Sequence, residues 1–174
     1  MNLHPVDQQA HGGFAPVDTN RFRSIMRGPV SSVVIVATGD ADHRAGCTVT
    51  AVCSLSDSPP SLLVCLNNRS AARHAIVERG RFTVSYLSEE QQEDADRLAG
   101  RFGAQGHEKF LEGRWESGPD GLPCLRDALA VLACDVKNVT EFGTHSIVFG
   151  AIYGATTRDD TRPLLYGQGR YLAL

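Results

Sequence analysis

Hydroxyl side chains recur at even positions in one short stretch, Cys47-Thr-Val-Thr-Ala-Val-Cys-Ser-Leu-Ser56, which holds Thr48, Thr50, Ser54 and Ser56. In a regular strand that spacing puts all four on one face, and a bend would split them. Hydroxyls both donate and accept, so such a face can hold a phosphorylated, planar ligand without lysine. Backbone N–H groups released where Pro59-Pro60 interrupts pairing would add donors. A strand whose outer face is merely wetted has the same pattern, and spacing alone leaves both readings open. Other chemistries lack their signatures: there is no GxGxxG after a strand, no GxxxxGK[ST], no HExxH and no GxSxG. Gly167-Gln-Gly169 leads into a short strand and not a helix, which removes it as a phosphate loop. The histidines at 4, 11, 43, 74, 107 and 145 are isolated from one another, so no metal site is expected. Cys47, Cys53, Cys65, Cys124 and Cys134 form no CxxC pair, which excludes a zinc ribbon and a disulfide framework.

The elements that must position these residues follow from apolar patterning. Residues 1–17 are rich in Gly, His, Gln and Pro without an apolar period, and are read as a flexible arm ahead of one domain over 18–174. Asp18 or Thr19 caps a short helix with Phe22, Ile25 and Met26 on one face, stopped by Gly28-Pro29. Residues 31–38 form a β-branched strand, Gly39–Asp42 turns it, and 45–56 is its hairpin partner. After the proline break, 61–66 is read as a fully buried strand. Ser70 caps a helix through Val77 with Ala71, Ala75 and Ile76 inward and Gly80 closing it. Residues 81–87 form a strand, and Ser88 with Gln91 reads as a capping box opening a helix to about Phe102. A long loop spans 103–123, strands follow at 125–138 and 146–153, and two short segments close the chain. With about seven strands and no strand–helix–strand alternation, the expectation is a mainly β domain, an antiparallel barrel with peripheral helices.

The 174 residues and net charge of −3 allow one domain and give no broad basic footprint for nucleic acid. The N-terminus has neither a basic region nor an apolar core of a signal peptide, and no apolar run is long enough to span a membrane. A cytoplasmic protein is expected.

The stretch GCTVTAVCSLSDSPPSLLVCLN resembles the signature of the short-chain flavin reductases, whose flavin lies in an FMN-binding split barrel. These are the reductase components of two-component flavin-dependent monooxygenases. The resemblance extends to Gly80-Arg-Phe-Thr-Val84, Arg101-Phe102 with Glu108-Lys-Phe110, Gly143-Thr-His145 with Ile147–Gly150, and Pro163-Leu-Leu-Tyr166 with Arg170-Tyr171. It implies an NAD(P)H:flavin oxidoreductase that uses NADH or NADPH to reduce FMN or FAD and hands the product to a monooxygenase. Thr48, Val49, Thr50, Ala51, Cys53 and Ser54 would then line the flavin ring and ribityl chain. Asn67, Asn68, Ser70 and Ala71 would take the phosphate, and Arg101, Phe102 and Phe110 would edge the site. His145 is implied as the catalytic residue on the nicotinamide side, with Tyr166, Arg170 and Tyr171 closing that pocket. Thr144 stands where the family commonly has Asp. Hydride transfer between rings needs positioning and no general base. With no room for a separate nucleotide domain, both cofactors would share one pocket, and the family resemblance implies a homodimer. The alternative is a flavin- or haem-binding split-barrel carrier or sensor without turnover.

Overall fold

The computed structural model describes residues 17–172 and 174; the arm expected over 1–17 lies, but for Val17, outside the described residues. Helix α1 (Thr19–Met26) begins where expected, with the Asp18 carboxylate accepting from the Asn20 and Arg21 amides at 2.8 Å. The strands are β1 (Ser31–Ser32), β2 (Val34–Gly39), β3 (Arg44–Val49), β4 (Val52–Asp57), β5 (Pro60–Asn67) and β6 (Arg81–Tyr86). They continue as β7 (Trp115–Ser117), β8 (Pro123–Leu125), β9 (Ala130–Phe142), β10 (His145–Thr157), β11 (Leu165–Gly167) and β12 (Arg170–Leu172). Helix α2 is Ala71–Arg79 and α3 is Gln92–Leu98.

Seven strands form one sheet in the order β3-β2-β6-β9-β10-β5-β4, every neighbour pair antiparallel. Its edge strands β3 and β4 are consecutive in sequence, joined by Thr50 and Ala51 alone. Three Cα steps of 3.80 Å hold Val49 and Val52 within about 11 Å, so the sheet must curl until its two edges nearly meet. The result is a barrel split between β3 and β4. The single strand expected over 45–56 is therefore two, bent at Thr50. The bend ends β3 at Val49 and assigns Thr48 to one edge and Ser54 and Ser56 to the other.

Strand β2 is buried on both faces because Val34 and Val36 point into the barrel while Val33, Ile35 and Ala37 pack under α3 and the 110–128 segment. The barrel interior is completed by Leu62, Val64, Leu66, Ile76, Phe82, Val84, Cys134 and Val148. Strand β5 is not fully buried as expected: Leu62, Val64 and Leu66 face in, while Ser61, Leu63 and Cys65 stay half-exposed outside. Glycine at 150 is required, since a Cβ there would lie 2.7 Å from the Phe82 ring.

In α2 the buried residues are Ala72 and Ile76, whereas Ala71 is exposed; one residue of offset rotates the face by about 100°. Gly80 ends it in the left-handed region, φ 72°. Ser88 does not cap α3. Its amide donates to Gln91 Oε1 at 3.0 Å, but the residue bridges to Pro163 in extended backbone, and Gln91 takes the cap position. Helix α3 stops at Leu98, four residues short of the expectation, where Gly100 takes φ 82°. The expected loop over 103–123 contains β7, which pairs with β8.

Candidate functional site

The split is where most of the sequence-selected residues converge. Cys65 N donates to Ala51 O at 2.9 Å and Val52 N to Thr50 O at 3.1 Å, which hangs the Thr50-Ala51 turn on β5. Beside the turn lies a cavity of about 240 Å³, lined from three directions. Thr48, Val49 and Thr50 come with Val33 from the barrel edge, Ala99 and Arg101 from the end of α3, and Tyr166 and Tyr171 from the C-terminal hairpin.

Helix α3 ties these parts together. Thr48 Oγ1 donates to the Ala95 carbonyl at 2.6 Å, and the Tyr171 hydroxyl donates to Asp96 at 2.6 Å. The Arg101 guanidinium pairs with the same carboxylate at 3.1 Å and stands 5.7 Å from the Tyr171 ring centre. Tyr166 meets Tyr171 edge to face at 5.4 Å. Burial, and after it Asp96, raises the pKa of Tyr171, so the phenol remains a donor at neutral pH. Arg101 is the one charged residue in the lining, and Asp96 answers its charge. A volume below the roughly 300–1,000 Å³ that encloses a whole drug-sized ligand fits the uncharged ring end of a larger one.

Across the turn sits a polar cluster. Asn67 Oδ1 accepts from the Arg69 amide at 2.9 Å, an Asx turn that delivers the chain into α2. Asn68 is committed to the β9–β10 hairpin: its amide donates to Thr144 O at 3.0 Å, its Nδ2 to Gly143 O at 3.3 Å, and Ser146 Oγ donates to its Oδ1 at 2.7 Å. Ser70 occupies the N-cap of α2 but its hydroxyl makes no capping bond, and it meets the Cys47 thiol across the split instead. The first-turn amides of α2, beginning with exposed Ala71, therefore keep donors for an anion, with Arg69 beside them.

The remaining candidates are dispersed. His145 opens β10 opposite Asn67, one strand spacing of about 5 Å away, with Nδ1 2.8 Å from Thr144 Oγ1. It belongs to the polar cluster and not to the cavity, so the residues grouped for the nicotinamide do not meet: Tyr166 and Tyr171 line the cavity, Arg170 is exposed in the hairpin, and His145 is across the turn. Cys53 and Ser54 are exposed on β4, beyond the turn. Phe102 is exposed outside the lining, under the Arg97 guanidinium at 5.3 Å. Phe110 does not edge the cavity: it is 6% exposed, meets the Trp115 ring at a tilt with centres 4.7 Å apart and fills the space left by Gly46, so it supports the wall from behind. Val33, Ala99 and Asp96 were not found by sequence reading. Nothing local distinguishes them, since their roles exist only where α3 and the hairpin fold back onto β3.

Among the described residues no group of His, Cys, Asp and Glu is placed to hold a metal. The donor set instead fits a flavin, with a mainly apolar cavity for a ring, hydroxyls and amides along the turn, and amide donors with an arginine for the phosphate. A split barrel with such a groove defines a flavin-handling domain. The chain belongs to the flavin reductase like domain family, whose model matches residues 26–174. It is 37% identical over 151 residues to the 4-hydroxyphenylacetate 3-monooxygenase reductase component of Salmonella typhimurium, covering 87% of this chain and 89% of that one. It is 33% identical over 168 residues to the FMN reductase (NADH) RutF of Methylorubrum extorquens, covering 97% and 81%. The crystal structure of BorF, the flavin reductase component of a bacterial two-component tryptophan halogenase, matches with a TM-score of 0.82 at 30% identity, covering 89% and 97%. The fold and cofactor class implied by the sequence motifs are those of the family, and the enzyme is a flavin reductase.

Proposed function

We propose that this protein is an NAD(P)H:flavin oxidoreductase that supplies reduced flavin to a partner monooxygenase. The observation that carries it is the pairing of a charge-neutral, ring-sized cavity with a donor-rich α2 N-terminus, on the two sides of the Thr50-Ala51 turn. When bound, flavin FMN or FAD would take a hydride from the nicotinamide of NADH or NADPH. Thr48–Ala51 hold the ring edge and ribityl chain, while Asn67, Asn68, Ser70, Ala71 and Arg69 face the phosphate. Tyr166 and Tyr171 confine the rings and exclude water, and His145 stands at the polar flank as a donor toward the nicotinamide carboxamide. With Asn68 and Asn67 spending side-chain groups on the protein itself, few anchors remain for the phosphate, which suits a flavin that must leave after reduction. A name that specifies NADH, on a relative matching over nearly the whole chain, favours NADH over NADPH.

Pairing with a second copy is supported by the stripe Phe22, Ile25 and Met26 on α1, each more than half exposed, and by the half-exposed Leu63, Cys65, Ile147 and Phe149 on the outer faces of β5 and β10. Five free cysteines suit a reducing cytoplasm. No described helix is long and apolar enough to cross a membrane. Steady-state oxidation of NADH and NADPH with FMN, FAD and riboflavin tests the proposal. Flavin-dependent turnover is expected, and turnover independent of flavin, or none, would overturn it.

A further inference from the structure

FMN, one of the flavins such a reductase takes, has an uncharged ring at one end and a phosphate at the other. Only ring-first entry is productive, yet an arginine beside the cavity would attract the wrong end. Arg101 is such an arginine, roughly half exposed on the cavity wall. Its charge is answered by Asp96, whose side chain is 15% exposed, pairs with Arg101 Nη1 at 3.1 Å and also accepts the Tyr171 hydroxyl at 2.6 Å. Asp96 lies outside the lining, so it acts through Arg101 and Tyr171 and touches no ligand itself.

We propose that Asp96 is an orientation-selecting residue: by neutralising Arg101 and holding Tyr171 over the cavity, it makes the pocket accept rings and refuse phosphates. The inference rests on the cavity being the ring site. Ion pairs of this kind matter here because the guanidinium keeps its fork of donors for a phosphate whether or not its net charge is cancelled. Cancelling the charge removes the long-range attraction that would draw a dianion in.

Asp96→Asn keeps an oxygen to accept from Tyr171 but removes the charge. Phosphate-first binding should then compete with productive binding, and such nonproductive binding lowers kcat and KM by a common factor while leaving kcat/KM nearly unchanged. With FMN varied at saturating NADH, both constants should fall together threefold or more. Inorganic pyrophosphate should inhibit at concentrations at least fivefold lower than for the parent, and adding Arg101→Gln to D96N should abolish that sensitivity. A fall in kcat/KM equal to that in kcat, at unchanged KM, would mean that Asp96 only props Tyr171 and would overturn the proposal, as would unchanged pyrophosphate inhibition. If D96N does not fold, R101Q alone decides. It leaves Asp96 unpaired, so pyrophosphate must inhibit less than in the parent, and equal or stronger inhibition overturns the proposal. Ala99→Trp, which fills the cavity, separates the two ideas. If it leaves the KM for flavin and NADH unmoved, the cavity is not the ring site and both fall; if it raises them while D96N fails, only the role of Asp96 falls.

Discussion

Two cavities of the molecule differ in kind, and the larger is the less suited to a ligand. Near Arg79 a space of about 360 Å³ is lined by Thr38, Gly39, Asp40, His43, Ala75, Glu78 and Arg79. Ion pairs lie in it and on the surface beyond its lining. Arg79 reaches Asp40 at 3.8 Å, Arg81 bridges Asp120 at 3.1 Å and Asp135 at 3.0 Å, Lys137 joins Asp135 at 3.1 Å, and the Tyr153 hydroxyl donates to Asp120 at 3.0 Å. The space between Thr48 and Tyr171 is smaller, about 240 Å³, and has one ion pair at its rim and aromatic walls. Volume does not mark a binding site; aromatic walls with donors left unspent do.

The largest effect expected tests what the two cavities share. Phe82→Ala empties the barrel interior beneath Gly150 and should cost about 3–5 kcal/mol, read by urea denaturation, with both cavities lost together. Filling each cavity separately should break their symmetry. Ala99→Trp is expected to raise the KM for flavin tenfold or more, whereas Ala75→Leu in the other cavity should change it less than twofold; equal effects would undo the distinction. A smaller effect concerns Thr48→Val, which removes one 2.6 Å bond from β3 to α3 and should cost about 0.5–1.5 kcal/mol of stability, read by thermal melting.

The smallest effect concerns pH at the ion pairs of Asp135. The Lys137 bond, and after it Arg81, holds the Asp135 carboxyl below its ordinary value of 3.8, despite slight burial. A folded pKa below the unfolded one contributes stability that is complete above the unfolded value and is lost as pH falls through the folded one. The melting temperature should therefore decline below about pH 4 by this route, and Arg81→Ala should flatten that decline slightly, because the pair is exposed and solvent-screened. Flavin affinity, governed by the cavity beside Thr48, should not follow this titration.

Much of this was legible in the residues. Asp18, Gly80 and the β-branched runs announce their elements because caps and strand propensity are local. The Ser88–Gln91 pattern misled since the same side-chain bond forms in extended backbone once Ser88 is drafted to bridge Pro163. Strand 45–56 was read as continuous because nothing in Thr50-Ala51 advertises a bend; the bend is imposed when the sheet closes. The face of α2 was misjudged by one residue for a similar reason, since its inward side is chosen by the barrel mouth it covers.

Composition and motif order determined the family, the cofactor class and the residues of the turn, since these depend on side-chain chemistry in short, contiguous stretches. The tertiary structure decided which of those residues share a space. It brought Thr48 to Tyr171 through α3, left His145 with Asn67 across the turn, sank Phe110 into the core and made Asp96 the partner of Arg101. Those outcomes depend on contacts between segments far apart in the chain, and no local pattern encodes a contact that exists only after the barrel has curled.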